Sequence, residues 1–163
     1  MPHDIRPAVS ADVPAILELI RGLADYEKLS DQAVATETQL TSALFPADGA
    51  VPAAHCVLGR VDGVPVAFAL YFFNFSTFLG KPGLYLEDLF VTPEHRGHGL
   101  GKALLMYLAA IANARGCGRM EWAVLDWNEP AIKFYRALGA QPMHEWTVFR
   151  LTRDGIASLA NSE

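Results

Sequence analysis

The fold is decided by residues 84–91 (LYLEDLFV), which are followed by TPEH at 92–95, RGHGLGK at 96–102 and an apolar-striped run at 103–115. Residues 84–91 are apolar or aromatic apart from the pair Glu87 and Asp88, and Pro93 follows them, so they are predicted to form a strand buried on both faces. In residues 103–115 apolar side chains recur at helical spacing and Gly116 follows, which predicts a helix.

Three glycines, Gly97, Gly99 and Gly101, lie between the predicted strand and the predicted helix. Glycines at alternate positions let the backbone turn sharply and bring successive N–H groups onto one concave face, to which the helix adds its own unpaired N–H groups and dipole. This arrangement predicts an anion site, and a phosphate ester is the expected ligand. A helix-start turn without a ligand is the alternative, although a plain turn needs one glycine rather than three.

Two nucleotide-binding motifs use similar turns, and neither fits here. The P-loop pattern fails twice, because Arg96 stands where its first glycine belongs and Ala103 where it needs a hydroxyl. The dinucleotide-binding fingerprint, started at Gly97, fails once, because Lys102 stands in place of its third glycine.

The composition is that of a globular protein, with 52% of the 163 residues hydrophobic and 19% charged. This length suits one domain, and we expect residues 1–163 to form it.

The sequence has no apolar run as long as a membrane span and no signal-peptide segment, so we expect a cytoplasmic protein without membrane contact. Cys56 and Cys117 fit neither a metal site nor a disulfide framework. The net charge of -5 argues against a nucleic-acid partner and tolerates a cationic substrate.

Turn and periodicity signals predict the other elements. Further strands are predicted at residues 4–8, 56–61, 64–73, 120–125 and 146–152. Helices are predicted after Ser10, from the capping box at 36–39, after the glycine-rich turn and at 131–138, and a frayed tail at 153–163. Asp62-Gly63 predicts a hairpin, and the helical connection predicts that 84–91 and 120–125 pair in parallel. The order predicts a mixed α/β sheet flanked by helices, with the parallel pair in its middle.

The pattern Arg96-x-x-Gly99-x-Gly101 resembles the acetyl-CoA-binding signature of the GNAT N-acetyltransferases: Gln or Arg, two residues, Gly, one residue, then Gly or Ala. The resemblance runs from about Ile5 to Thr152. Within the superfamily the chain is most similar to the diamine acetyltransferases, the spermidine/spermine and thialysine enzymes. Four runs carry this likeness: YEKLSDQ at 26–32, YLED at 85–88, RGHGLG at 96–101, and VLDWN at 124–128 followed by Phe134-Tyr135.

The resemblance implies the GNAT fold, a mostly antiparallel sheet with a central parallel strand pair flanked by helices. It also implies acetyl-CoA as co-substrate and a homodimer, for which the apolar residues 146–151 offer a shared sheet edge. The residues implied to hold acetyl-CoA are Leu89, Phe90, Val91, Arg96, Gly97, His98, Gly99, Leu100, Gly101, Lys102, Asn128, Pro130 and Ala131.

The resemblance assigns Tyr135 as the general acid that protonates the departing CoA thiolate. Glu87 is the candidate base, directly or through water, because an alkyl amine with a pKa of about 10.4 must lose a proton before it attacks. The N–H of Leu89 is a candidate oxyanion donor. With no cysteine placed as an acyl carrier, we expect direct transfer in a ternary complex.

The residues alone leave structural alternatives for two of these positions, and they favour a structural role for Asp88. Tyr135 is also explained as a core aromatic beside Phe134, and Asn128 as a helix cap. Strand alternation places Asp88 on the face opposite to Glu87, which favours a structural role for Asp88.

The positions similar to the family's substrate site are Tyr26, Glu27, Glu87, Glu145 and Trp146. Their carboxylates suit a cationic amine. Where the polyamine enzymes carry Asp-Pro-Trp this chain has Ser76-Thr77-Phe78, so an acidic contact for a long polycation is missing and a short amine is expected. His95 and His98 lack a nearby third ligand, so no metal is expected. Two other functions stay open: acetylation of protein lysines or N-termini, and binding of acyl-CoA without catalysis.

Overall fold

The computed structural model describes residues 2–162. Its strands are β1 (His3–Pro7), β2 (His55–Val61), β3 (Val64–Ser76), β4 (Lys81–Val91) and β5 (Arg119–Glu121). Its α-helices are α1 (Val13–Tyr26), α2 (Glu37–Leu44), α3 (Leu100–Ala114), α4 (Glu129–Ala137) and α5 (Arg153–Ala160). Short 3-10 turns lie at Ser10–Asp12, Ser30–Gln32 and Pro93–His95.

The chain forms two compact units. The first ends at Ala123 and contains the five strands with α1, α2 and α3, and the second begins at Val124 and contains α4 and α5. The assignment of residues 1–163 to one domain stays a prediction.

The five strands form one sheet in the order β1-β2-β3-β4-β5. Neighbouring strands are antiparallel except β4 and β5, which run parallel with Gly83 opposite Arg119 and Tyr85 opposite Glu121. The mixed, mostly antiparallel sheet is therefore confirmed. The parallel pair, however, lies at one end of this strand order and not in its centre.

The two faces of the sheet are covered by different helices. On one face α1 and α2 contribute Ile16, Leu19 and Leu44 to a buried cluster with Leu58 and Phe68 of the sheet, among others. Gly59 follows Leu58 on β2 and so faces the other way, where a Cβ atom would lie 2.8 Å from the side chain of Leu100. The start of α3 is thus held close against β2, which fixes the place of the loop before it.

The hairpin predicted at Asp62-Gly63 is confirmed. Both residues have positive φ angles, 49° and 79°, as a tight turn between right-twisted strands requires. The capping box is also confirmed: the N–H of Gln39 donates to the Thr36 hydroxyl, and the N–H of Thr36 donates to the Gln39 side chain.

Three predictions about the C-terminal part are wrong. Residues 146–152 form no strand, the predicted strand at 120–125 is shortened to β5, and the supposed tail is helix α5 from Arg153. Strand-forming side chains make a strand only where a neighbouring backbone can pair with them, and no strand lies between residues 124 and 162. Among residues 2–162, no helix is sufficiently long and apolar for a membrane span.

Candidate active site

Strand β4 carries an irregularity at the predicted base. Leu70 of β3 lies opposite Asp88 and the next residue, Tyr71, lies opposite Leu86, so Glu87 is the extra residue of a β-bulge. A bulge interrupts the alternation of faces along a strand. The sequence argument that Asp88 points away from Glu87 therefore does not hold at this position.

Two carboxylates act on a third beside this bulge, and we call Glu27, Glu87 and Asp88 the acidic group. The pKa of Asp88 is raised to about 6, chiefly by burial and then by the negative charges of Glu87 and Glu27. Burial also raises the pKa of Glu27, which follows α1 directly. The structure thus brings together Glu27 and Glu87, which were both predicted to bind the substrate, and adds Asp88. The sequence analysis gave Asp88 a structural role, because a β-bulge leaves no recognisable pattern in the sequence.

The glycine-rich residues 96–102, here called the phosphate loop, have the predicted geometry. Gly97 and Gly99 adopt φ angles of 77° and 84°, a region that residues with a side chain rarely occupy. Gly99 is the N-cap of α3, and Gly101 lies in its first turn. The first N–H groups of a helix have no partner within it, and together with the helix dipole they attract an anion. This arrangement suits the pyrophosphate of a CoA ester.

The side chain of Arg96 is engaged by the protein at the start of the phosphate loop. Its Nε–H donates to the carbonyl of Val91 at 2.9 Å. Its guanidinium carbon lies 4.4 Å from the centre of the Tyr26 ring and 5.5 Å from that of Phe90. A residue predicted for acetyl-CoA is therefore in contact with one predicted for the substrate.

A cavity of about 550 Å³ lies between α1 and the end of β4. Tyr26 and Phe90 line it together with the carboxylates Glu18, Asp25 and Glu94. Glu27 lines a separate, smaller cavity of about 160 Å³ at the end of α1. The surface around α1 is accordingly rich in acceptors for a cation.

Six predicted site residues belong to the second unit. Asn128 is buried and is the N-cap of α4, where its Oδ1 accepts the N–H of Ala131 at 3.4 Å. The predicted capping role is therefore confirmed, and a contact with CoA stays a prediction. Tyr135 is half-buried with its ring 5.4 Å from that of Phe134. Pro130 starts α4 beside Ala131, whereas Glu145 and Trp146 lie in an exposed segment outside any helix or strand.

One of the two histidines beside Arg96, His95, has a side-chain partner within the protein. The Nδ1 of His95 lies 2.8 Å from the hydroxyl of Thr92, within the 3-10 turn. Among residues 2–162 there is no group of three potential metal-ligating side chains.

Comparison with known proteins shows the family to which this chain belongs. The sequence model of the acetyltransferase (GNAT) family matches residues 23–140, which include the acidic group, the phosphate loop and α4. The chain belongs to the GNAT family. This family is one of N-acetyltransferases that use acetyl-CoA as co-substrate, so the expectation drawn from Arg96-x-x-Gly99-x-Gly101 is confirmed.

Individual relatives match over nearly the whole chain. A thialysine N-epsilon-acetyltransferase from Bos taurus is 40% identical over 96% of both chains. An L-ornithine N5-acetyltransferase from Arabidopsis thaliana is 34% identical over 95% of this chain and 86% of its own. Among solved structures, an integron cassette protein from the mobile metagenome of V. cholerae covers 99% of both chains with a TM-score of 0.77 at 27% identity. The likeness to diamine acetyltransferases is thereby confirmed.

Proposed function

We propose that this N-acetyltransferase transfers the acetyl group of acetyl-CoA to a primary amine of a small molecule. The acidic group carries the proposal, because the charges of Glu27 and Glu87 act on Asp88 beside the β4 bulge, and a cluster of carboxylates suits a cationic acceptor. Relatives named for thialysine and ornithine, both small amino acids with a side-chain amine, support the same class of substrate.

In this proposal the first unit binds most of the CoA ester. The backbone of Leu89, Phe90 and Val91, at the end of β4, aligns with the acetyl-pantetheine arm as an added strand would. The phosphate loop holds the pyrophosphate with the N–H groups of residues 97–102. Asn128, Pro130 and Ala131, at the start of α4, are further proposed contacts for CoA.

The chemistry requires a base, an oxyanion donor and an acid. Glu87 removes a proton from the ammonium group of the substrate, directly or through water, and the free amine attacks the thioester carbon. The N–H of Leu89 donates to the carbonyl oxygen as it gains negative charge. As the C–N bond forms and the C–S bond breaks, Tyr135 protonates the leaving thiolate. Bound acetyl-CoA supplies the activated acetyl group in a single direct transfer.

A short amine fits the residues better than a long polyamine. Ser76 is buried and its hydroxyl accepts the N–H of Leu79, while Phe78 is exposed at the turn between β3 and β4. No carboxylate lies in residues 76–78, so this turn offers no charge to the far end of a polycation. The number of charges that the acidic group accommodates would then limit the length of the amine.

We further propose that the enzyme is a cytoplasmic homodimer. The exposed side chains of Trp146, Val148 and Phe149 offer an apolar surface of the kind that covers an interface. The thiols of Cys56 and Cys117 are free, as in a reducing compartment. Light scattering should give twice the mass of the chain, and Phe149→Asp should lower it; a monomeric wild-type enzyme at working concentration contradicts the dimer.

One assay tests the proposed activity. Release of free CoA is measured with spermine, spermidine, putrescine, lysine, thialysine, aminoglycosides and a lysine peptide, with acetyl-CoA alone as the blank. We expect the highest kcat/KM with thialysine, lysine or putrescine. The highest value with spermine contradicts the argument from residues 76–78. Reaction of the peptide alone would mean a protein acetyltransferase, and CoA binding without any turnover would mean a binding module.

A further inference from the structure

The side chain of Arg96 connects three elements that belong to two different parts of the proposed site. Tyr26 is the last residue of α1 and precedes Glu27, Val91 is the last residue of β4, and Arg96 itself opens the phosphate loop. The edge of the guanidinium binds the Val91 carbonyl while its face covers the Tyr26 ring. A planar guanidinium can make both contacts at once, whereas a lysine ammonium can satisfy only one of them in this geometry.

We propose that Arg96 is a positioning residue that ties the phosphate loop to the end of α1, so that binding of CoA orders Tyr26 and Glu27 for the amine. The inference rests on the proposed function and deepens it. It assigns to Arg96 a task beyond attraction of the pyrophosphate. Because coupling between two sites is reciprocal, a bound amine tightens the hold on CoA by the same factor.

The path of this coupling consists of contacts between neighbouring residues. When CoA orders the phosphate loop, it fixes the position of Arg96. The ring of Tyr26 stacks against the guanidinium face and is fixed with it. The hydrogen bonds that hold the backbone after Tyr26 include those from Glu27 N–H to the Leu23 carbonyl and from Leu29 N–H to the Ala24 carbonyl. Ordering of Tyr26 therefore protects these two N–H groups, and they report on the tie without any catalytic turnover.

The test uses hydrogen exchange of the full chain with free CoA as the probe. In the wild type, CoA should slow exchange both at residues 97–102 and at residues 23–29, the latter by about fivefold, the low end for coupled sites. Arg96→Lys keeps the charge and should keep the protection of 97–102 while losing that of 23–29. Tyr26→Leu removes the ring without altering the arginine and should give the same result.

A second arginine supplies the matched control. The guanidinium carbon of Arg115 lies 4.4 Å from the centre of the Phe73 ring, the same distance as in the Arg96–Tyr26 pair, but beyond the other end of α3. Arg115→Lys should therefore leave protection at residues 23–29 unchanged. Protection there that survives in Arg96→Lys and in Tyr26→Leu contradicts the tie, as does a wild type that binds CoA without protecting 23–29. A wild type that binds no CoA contradicts the proposed function itself.

The same variants separate the tie from a merely structural role. Calorimetric titration of CoA is carried out with and without thialysine, and the ratio of the two dissociation constants gives the coupling factor. We expect a ratio of about five in the wild type and in Arg115→Lys, and about one in Arg96→Lys. Arg96→Lys with an unchanged ratio overturns the inference, whatever its effect on CoA affinity alone.

Discussion

The unit that ends at Ala123 and the unit that begins at Val124 are built differently. In the first, helices cover both faces of the sheet and bury apolar side chains such as Ile16, Phe68 and Leu104. In the second, Asn128 is the single buried residue among 124–162. The large apolar side chains that are exposed in this second unit are Trp127, Leu138, Met143, Trp146, Val148, Phe149, Leu151, Ile156 and Leu159. The phosphate loop and the acidic group are thus set by a core of their own, whereas the unit with Tyr135 presents an interface-like surface.

The largest effect should come from the acid in the second unit. Tyr135→Phe removes the proposed proton donor and should lower kcat on the order of 10²-fold, with little change in acetyl-CoA affinity. Tyr107→Phe, on α3 of the first unit, removes the same hydroxyl and should leave kcat unchanged. Full kcat in Tyr135→Phe, under conditions where chemistry limits turnover, would make Tyr135 a packing residue.

The acidic group predicts a pH-dependent stability of the first unit. Because the pKa of Asp88 is raised from 3.8 to about 6, the folded state binds more protons than the unfolded state between these values. The free energy of unfolding therefore falls as pH rises from about 4 to about 6, and stays lowered above that. Asp88→Asn should remove this fall and stabilise the protein at pH 7 by about 2 kcal/mol. This is less than the ~3 kcal/mol that corresponds to the whole pKa shift, because water screens part of the interaction.

Chemical denaturation at several pH values measures this difference. The control is Asp31→Asn, which removes the same charge from an exposed position. A wild type whose free energy of unfolding is constant from pH 4 to pH 7 would show that Asp88 is more hydrated than its position on β4 indicates.

These two regions also differ in how much the sequence could predict. Local chemistry predicted the hairpin at Asp62-Gly63 and the positive φ angles of the phosphate loop, because glycine adopts positive φ angles without strain and aspartate tolerates them. The bulge at Glu87 was not predictable, since it arises from the register between β3 and β4. Residues 146–152 have strand-forming side chains, but strand formation depends on a pairing partner that no local pattern specifies.

A smaller effect is expected at the phosphate loop. Gly99 has a φ angle of 84°, and a Cβ atom there would meet nothing within 4 Å, so Gly99→Ala acts through backbone strain and not through a clash. The strain should turn the N–H groups at the start of α3 and weaken acetyl-CoA binding about tenfold, or about 1.4 kcal/mol. Gly116→Ala, at the far end of α3, carries the same strain at φ 66° and should leave binding unchanged. Calorimetry showing equal affinity in both variants would remove the loop assignment.

The smallest effect should come from Asn128, where the cap and the proposed CoA contact can be separated. The cap needs only the side-chain oxygen that accepts the Ala131 N–H, and aspartate supplies it as well as asparagine does. Asn128→Asp should therefore keep the melting temperature. It loses the amide donor and adds a negative charge, so it should weaken CoA binding about fivefold, or about 1 kcal/mol. Asn128→Ala should lose both the cap and the contact. If Asn128→Asp binds CoA as the wild type does, Asn128 is a cap alone and does not contact the co-substrate.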